Sequence, residues 1–309
     1  MQRPTLQQLA YVVALADAGH FGRAAAACHV TQPALSAQIR ELERRLGTTL
    51  VERLPRGIRL TPAGDAVVAR ATHLLRGVDE MMEELGAADG ELAGPVVVGA
   101  IPTVAPYVLG ALVPILVSRF PAAEVRIEEL RTDALLGGLR DGRVDLALCA
   151  LPVDDERFAV ATLTDDPFLL ALPEGHSLAR GRGPVSVDVL AGLRVLLLED
   201  GHCLRDQALS VCDLAGTQPT DARATSLPTL VQMVAAGNGV TLLPASAAAV
   251  EARPGNGIAV RRFREPVHRT LGLAWRASSP RGTAYAELAR LVRPRVHSAR
   301  ASGPGDTTL

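Results

Sequence analysis

An α/β protein, preceded by a small helical unit that closes on a two-stranded ribbon, is the fold class the sequence predicts. Three observations carry it. Residues 1–64 hold apolar positions at helical spacing, broken by Gly19 and Gly47. From Pro95 onward, short β-branched runs alternate with helical stretches, the pattern of βαβ units and a mainly parallel sheet. Between the two lies one long stretch with a heptad spacing.

The 309 residues suggest about two domains at ~150 residues each. With 48% apolar and 21% charged residues the chain is globular, not disordered. Net charge is −1 and all 32 basic residues are arginine, so any nucleic-acid binding must come from a local patch. Aromatics, at 3%, are too few for a stacking platform that holds single strands. Two uncharged stretches, Leu92–Ser118 and Ala224–Val250, are long enough to span a bilayer, but Pro102, Pro106, Pro114, Pro228 and Pro244 break them into strand–turn–helix units. No apolar signal core follows Met1, and four cysteines are too few for a disulfide scaffold. A cytoplasmic protein without a membrane partner is expected.

Thr5-Leu6-Gln7-Gln8 is a capping box that opens a first helix, with Leu6, Leu9, Val13 and Ala16 near one face. A second, Ala-rich helix covers Gly22–Cys28. Thr31 caps a third with Pro33 in its first turn, and Leu35, Ile39, Leu42 and Leu46 form its buried stripe. Its other face carries Gln32, Ser36 and Arg40, with Gln38 at the flank. Two short helices with a tight turn, the second amide-rich at its start, make the helix-turn-helix plan, in which that second helix reads the major groove. Residues 50–60 then form a basic wing bearing Arg53, Arg56 and Arg59. Residues 1–64 carry eight arginines against four acids, a patch suited to phosphates that residues 65–90 cancel with six acids against two arginines.

From Thr61 and Pro62 a helix is expected to about Ala88. Val67, Ala71, Leu74, Val78, Met81 and Leu85 alternate spacings of 4 and 3, a seam for a partner helix rather than for the chain's own domain. Asp89-Gly90 marks the boundary. Beyond it, strands are expected at Pro95–Ile101, Val125–Leu130, Val144–Leu151, Phe168–Leu172, Val195–Leu198, Ala222–Thr225, Val240–Leu243, Ile258–Phe263 and Thr270–Trp275, with a final helix to about Arg295 and a frayed tail from Ser298.

The sharpest chemical feature is Glu199-Asp200-Gly201-His202-Cys203-Leu204-Arg205-Asp206, with Cys212 nine positions after Cys203. His202, Cys203 and Cys212 match no structural-zinc spacing, so no metal and no cofactor is expected. Among His202, Arg205 and Asp206, Cys203 reads as a low-pKa thiolate, able to attack peroxide and be resolved by a second thiol. Were the nine steps helical, the two sulfurs would lie ~13.5 Å apart along the axis on opposite faces. A disulfide needs Cα atoms within about 7 Å, so any helix between them must melt. Cys149, in an apolar strand, and Cys28 read as packing residues.

Arg23-Ala24-Ala25, Thr31-Gln32-Pro33-Ala34-Leu35-Ser36-Ala37-Gln38-Ile39, Leu50-Val51-Glu52-Arg53 and Leu60-Thr61-Pro62-Ala63-Gly64 resemble the signature of LysR-type transcriptional regulators. The resemblance implies a winged helix-turn-helix domain over 1–61, a dimerising linker helix over 62–90, a two-lobed effector domain over 91–300 and a flexible tail over 301–309. The effector domain would be two α/β lobes resembling periplasmic binding proteins, lobe I about 95–165 and 269–300, lobe II about 166–268. Arg23, Thr31, Gln32, Pro33, Ser36, Gln38, Arg40, Arg53, Arg56 and Arg59 would meet promoter DNA.

The 201–208 segment with Cys212, together with Ile101-Pro102-Thr103-Val104, Arg223-Ala224-Thr225-Ser226-Leu227 and Arg269-Thr270-Leu271-Gly272-Leu273, is similar to the peroxide-sensing members of that family. This implies Cys203 as peroxidatic and Cys212 as resolving cysteine, with Thr103, Thr132, His202, Asp206 and Arg269 holding hydrogen peroxide. One departure is His268, where those members carry a second arginine. The partners implied are double-stranded DNA, further copies of the chain in a dimer and tetramer, a thiol reductant such as a glutaredoxin or thioredoxin, and RNA polymerase. A regulator of the oxidative-stress response follows, and not an enzyme. Two other readings stay open: a LysR-type regulator with a small co-inducer between its lobes, and a thiol peroxidase.

Overall fold

The computed structural model describes residues 3–301, apart from 56, 87–91, 182, 218, 219 and 221. Its elements fall into two compact units.

In the first unit, α1 (Leu6–Ala18) opens on the expected capping box, Thr5 and Gln8 exchanging two bonds of 3.2 Å, and ends at Gly19 with φ 63°. Its buried stripe is Leu9, Val12 and Leu15; Leu6 is half exposed, so the face differs from the expected one by a small rotation toward the other helices. Then follow α2 (Phe21–Ala27), capped by His20, and α3 (Gln32–Leu46), capped by Thr31 and stopped by Gly47. Leu35, Ile39 and Leu42 of α3 join Leu9, Val12 and Leu15 in one apolar core, as their spacing requires.

Strands β1 (Val51–Leu54) and β2 (Gly57–Leu60) pair antiparallel as the wing. Gly57 has φ +123°, and a Cβ there would sit 2.7 Å from the Gly19 carbonyl, which accepts from Ile58 N at 3.0 Å. Only glycine lets the wing lie this close to the α1–α2 turn.

Helix α4 (Pro62–Gly86) splits the expected seam. Val67, Ala71 and Leu75 pack into the unit's own core against α1, whereas Leu74, Met81 and Met82 are 54%, 50% and 62% exposed. A seam serving a partner along its whole length is therefore corrected: the first turns lie where their own domain claims the apolar face. Leu85, the expected end near Ala88 and the boundary at Asp89-Gly90 lie outside the described side chains or residues.

The second unit runs β3 (Gly94–Ala100), α5 (Ala105–Arg119), β4 (Ala123–Glu129), α6 (Thr132–Arg140), β5 (Leu146–Leu151), β6 (Phe158–Pro173), β7 (Leu197–Leu198), α7 (Cys203–Leu214), β8 (Arg223–Ala224), α8 (Leu227–Ala235), β9 (Thr241–Pro244), α9 (Ala245–Glu251), β10 (Ile258–Arg262), β11 (His268–Arg276) and α10 (Gly282–Ala301). Seven strands form one sheet in the order β10-β6-β11-β5-β3-β4, with β9 also on β6.

The mainly parallel sheet is thus a correction. Parallel pairing joins β3 to β4 and β5, while β11 runs antiparallel to β5 and β6, and β9 and β10 antiparallel to β6. The cause is β6, whose first half carries no expected strand. It extends as one 16-residue strand from one lobe into the other, and β11 returns beside it from Pro167↔His268 to Phe158↔Arg276. Two apolar cores flank this crossing, one around β3, β5, α5 and α10, the other around α7, α8 and β9. Strands expected over Val195–Leu198 and Ala222–Thr225 shrink to the paired two-residue β7 and β8. Ser298–Ala301, expected in the tail, belong to α10; 302–309 lie outside the described residues.

Candidate functional site

Two groups of side chains stand out, one in each unit. On α3, Thr31 turns its hydroxyl to Ala34 N at 3.4 Å and so starts the helix. Gln32, Pro33, Gln38 and Arg40 are exposed opposite the buried stripe, and Gln38 also accepts from the Gln8 side chain at 3.1 Å. Ser36 departs from expectation: it is buried and accepts from Arg53 Nη2 at 2.6 Å. The Arg53 guanidinium also sits 4.3 Å from the Phe21 ring centre. Ser36 and Arg53 thus bind each other, pinning the wing to the helix pair, because Arg53 finds an aromatic face and a hydroxyl closer than any solvent-side acceptor. Arg23 is spent on the Ala18 carbonyl at the end of α1, and Arg59 pairs with Glu52 across the ribbon at 2.6 Å, both exposed. Arg56 lies outside the described residues.

The second group forms where the lobes meet. Cys203 is the first residue of α7, with His202 as its N-cap residue. Against it come Thr132 from the start of α6 and Arg269 from β11. The Thr132 hydroxyl is buried beside Cys203, favours its thiolate, and has no hydrogen-bond partner among the described residues. Arg269 is wholly buried, donating to Asp166 Oδ2 at 3.0 Å, to Thr103 Oγ1 at 3.1 Å and to the Thr103 carbonyl at 2.9 Å. Asp166 in turn accepts from Ser246 N at 2.8 Å and Ser246 Oγ at 2.7 Å, at the start of α9. Thr103, Thr132, Cys203 and Arg269, expected from four distant segments, are brought together here.

Ionisation of Cys203 departs from expectation. Burial pushes the thiol up from its usual range; the Thr132 hydroxyl, the Arg269 charge and the Leu204 amide oppose this, and Asp206 adds to it. The neighbours in sequence do not help: Arg205 is turned to Asp200 at 2.9 Å and to the Leu198 carbonyl. Desolvation of a charged sulfur outweighs one buried guanidinium that Asp166 already neutralises. His202 is buried, and burial and the nearby Arg131 charge hold its pKa below the usual histidine value. Glu199 and the Thr225 backbone oppose this, and among the described residues Nε2 has no hydrogen-bond partner. Asp206 is exposed, one turn along α7. His268 is exposed, its Nδ1 2.9 Å from the Pro266 carbonyl.

Cys212 is buried in the other core, its thiol pushed up to about 11 by burial. Sequence reasoning missed Asp166 and Ser246, although an acid inside the apolar run of β6 is a signal for a buried partner. It also missed two ties between the lobes, the ion pair of Arg131 with Glu199 and the bond from Tyr107 Oη to Glu251 at 2.8 Å. Among the described residues no cluster of three His, Cys, Asp or Glu suits a metal ion, and no helix is long and apolar enough to cross a membrane.

Residues 6–65 match the bacterial regulatory helix-turn-helix family of LysR proteins, and residues 89–296 match the LysR substrate binding domain. The chain is 44% identical over 293 residues to the DNA-binding transcriptional dual regulator OxyR of Escherichia coli K12, covering 94% of this chain and 95% of that protein. It is 41% identical to a probable hydrogen peroxide-inducible genes activator of Streptomyces viridosporus, over 94% of both. Its fold is similar to a full-length cysteine variant of Pseudomonas aeruginosa OxyR, at TM-score 0.79 and 38% identity, over 95% of this chain and 96% of that one. A cysteine-to-serine variant of Corynebacterium glutamicum OxyR, solved with hydrogen peroxide bound, superposes at TM-score 0.67 and 37% identity, over 97% and 95%.

Proposed function

Because this chain belongs to the LysR family of helix-turn-helix transcription regulators, we propose that it switches gene expression in response to hydrogen peroxide, through reversible Cys203–Cys212 disulfide formation. One observation carries the reading. Beside Cys203 lies the buried Thr132 Oγ1, which has no hydrogen-bond partner among the described residues, together with the buried Arg269 guanidinium. Such groups suit a small molecule that both donates and accepts hydrogen bonds.

In this reading the Cys203 thiolate attacks one peroxide oxygen, the O–O bond breaks, and the second oxygen leaves as hydroxide. Thr103 and Thr132 pass it a proton, giving water, while Arg269 steadies the charge on sulfur and on the leaving oxygen. Neutral His202 and exposed Asp206 complete the proposed peroxide set. The start of a 12-residue helix adds its positive end to the thiolate side. Cys212 then displaces water from the sulfenic acid, and a thiol reductant of the cytoplasm, of glutaredoxin or thioredoxin type, resets the pair.

Residues 1–61 are proposed as the DNA-binding domain, 62–90 as the linker and 91–300 as the sensor. Exposed Leu74, Met81 and Met82 on α4 support pairing of two chains there, with a tetramer as the working assembly. Counting free thiols before and after one equivalent of peroxide tests the whole reading. Loss of two per chain is expected; loss of none, with a metabolite changing DNA binding, overturns it.

A further inference from the structure

Cys149 is the buried nucleophile that this mechanism leaves unused. On β5 it follows Ala147 by two residues, so both point to one face of the sheet. Ala147 pairs in parallel with Gly99, and a Cβ on Gly99 would meet Leu135 of α6 at 2.3 Å. That face therefore looks at α6, whose first residue, Thr132, lies beside Cys203. Cys203 packs on the lobe I core to which Cys149, 1% exposed, belongs, and the charge on its sulfur is felt at Cys149. Cys212 belongs to the opposite core, nine residues along an unbroken helix.

We propose that Cys149 is a second resolving thiol for Cys203, closing a Cys149–Cys203 disulfide that leaves α7 folded. The proposal rests on the peroxide reading above. Once Cys203 is a sulfenic acid, the Cys149 sulfur attacks it. The S–S bond forms, the S–O bond breaks, and the hydroxyl leaves as water with the Cys149 proton. Neither resolving thiol is activated: burial pushes Cys149 up to about 12 and Cys212 up to about 11. Cys212 is out of reach until α7 unwinds. Cys149 competes in that interval. Its disulfide would tie the start of α7 to lobe I and so hold the unswitched arrangement, a covalent state that absorbs oxidant without signalling.

Trypsin separates the three thiols, since it cleaves after Arg143, Arg157, Arg194, Arg205 and Arg223. Full-length Cys212→Ser protein is treated with one equivalent of peroxide, the excess quenched, a sulfenic-acid trap added, and the digest read by mass spectrometry. Peptide 144–157 cross-linked to peptide 195–205 is expected, with far less trapped Cys203 than in Cys149→Ala/Cys212→Ser. The single variant leaves β5 untouched, so the cross-link is readable even if the double variant folds poorly. Equal trapping of Cys203 in both variants, with no cross-linked peptide, overturns the role of Cys149 alone. Cys203 reduced and untrapped in both overturns the peroxide reading, and this inference with it.

Discussion

Arg269 holds Thr103 twice, through its hydroxyl at 3.1 Å and its carbonyl at 2.9 Å, and this fixes a guanidinium beside Cys203. The third bond, to buried Asp166, gives the arginine a structural role beside its proposed chemical one. Arg269→Ala leaves the Asp166 carboxylate without its cation, so a loss of about 3–5 kcal/mol is expected in denaturant melts. Arg269→Ala/Asp166→Ala should recover part of that stability, while Cys203 oxidation stays slow in both. Wild-type oxidation rates in the double variant would remove Arg269 from the chemistry.

The two cysteines should separate by variant. Cys203→Ser abolishes the response, because a serine hydroxyl cannot supply a nucleophile at neutral pH. Cys212→Ser still reacts at Cys203. With a sulfenic-acid trap present during a brief peroxide pulse, the second labels and the first does not. In the oxidised wild type, a Cys203–Cys212 bond is expected to dominate and to open α7 to protease, since a continuous helix keeps the two sulfurs apart.

A raised thiol sets the pH dependence. Below its pKa, Cys203 is mostly neutral, and burial has moved that pKa above the usual value. The initial rate of Cys203 oxidation should therefore climb by roughly tenfold per pH unit through neutrality and beyond pH 8. Stopped-flow rates between pH 6 and 9, taken as ~three decades at most, decide it. A plateau below pH 7 would mean a thiolate at rest and contradict the burial argument.

On DNA, the exposed residues and the buried ones should part company. Gln32→Ala and Arg40→Ala are expected to lower discrimination between operator and random duplex by about 1–3 kcal/mol, with little change in melting temperature. Arg56→Ala should weaken binding to all sequences and reduce the salt slope by about one phosphate. Ser36→Ala and Arg53→Ala instead lower stability, because each strips the other of its 2.6 Å bond. Band-shift titrations at two salt concentrations, beside thermal melts, distinguish the groups.

What could be read before folding was local. Thr5 with Gln8, Thr31 with Pro33, and Gly47 act over one helical turn, so the three N-terminal helices and the exposed Gln32, Gln38 and Arg40 follow from the chain alone. The gap between Cys203 and Cys212 spans α7, the helical case in which their nine-residue separation puts the two sulfurs on opposite faces. The strand order was not legible. Nothing near Phe158 announces a 16-residue strand, because its two halves are buried by different lobes and show no single period.

The sequence by itself picked out the residues proposed for the chemistry, Cys203 and Cys212 nine positions on, and the exposed polar face of the third helix. Tertiary structure alone decided their states. Ser36 is an anchor because the wing folds back over Phe21. The Cys203 thiol lies high and not low because burial outweighs the Thr132 hydroxyl and the Arg269 charge, while Asp206 adds its negative charge and Arg205 turns to Asp200. Local order depends on backbone geometry within a few residues. Ionisation depends on burial and on charges summed through space, and only the folded chain sets those distances.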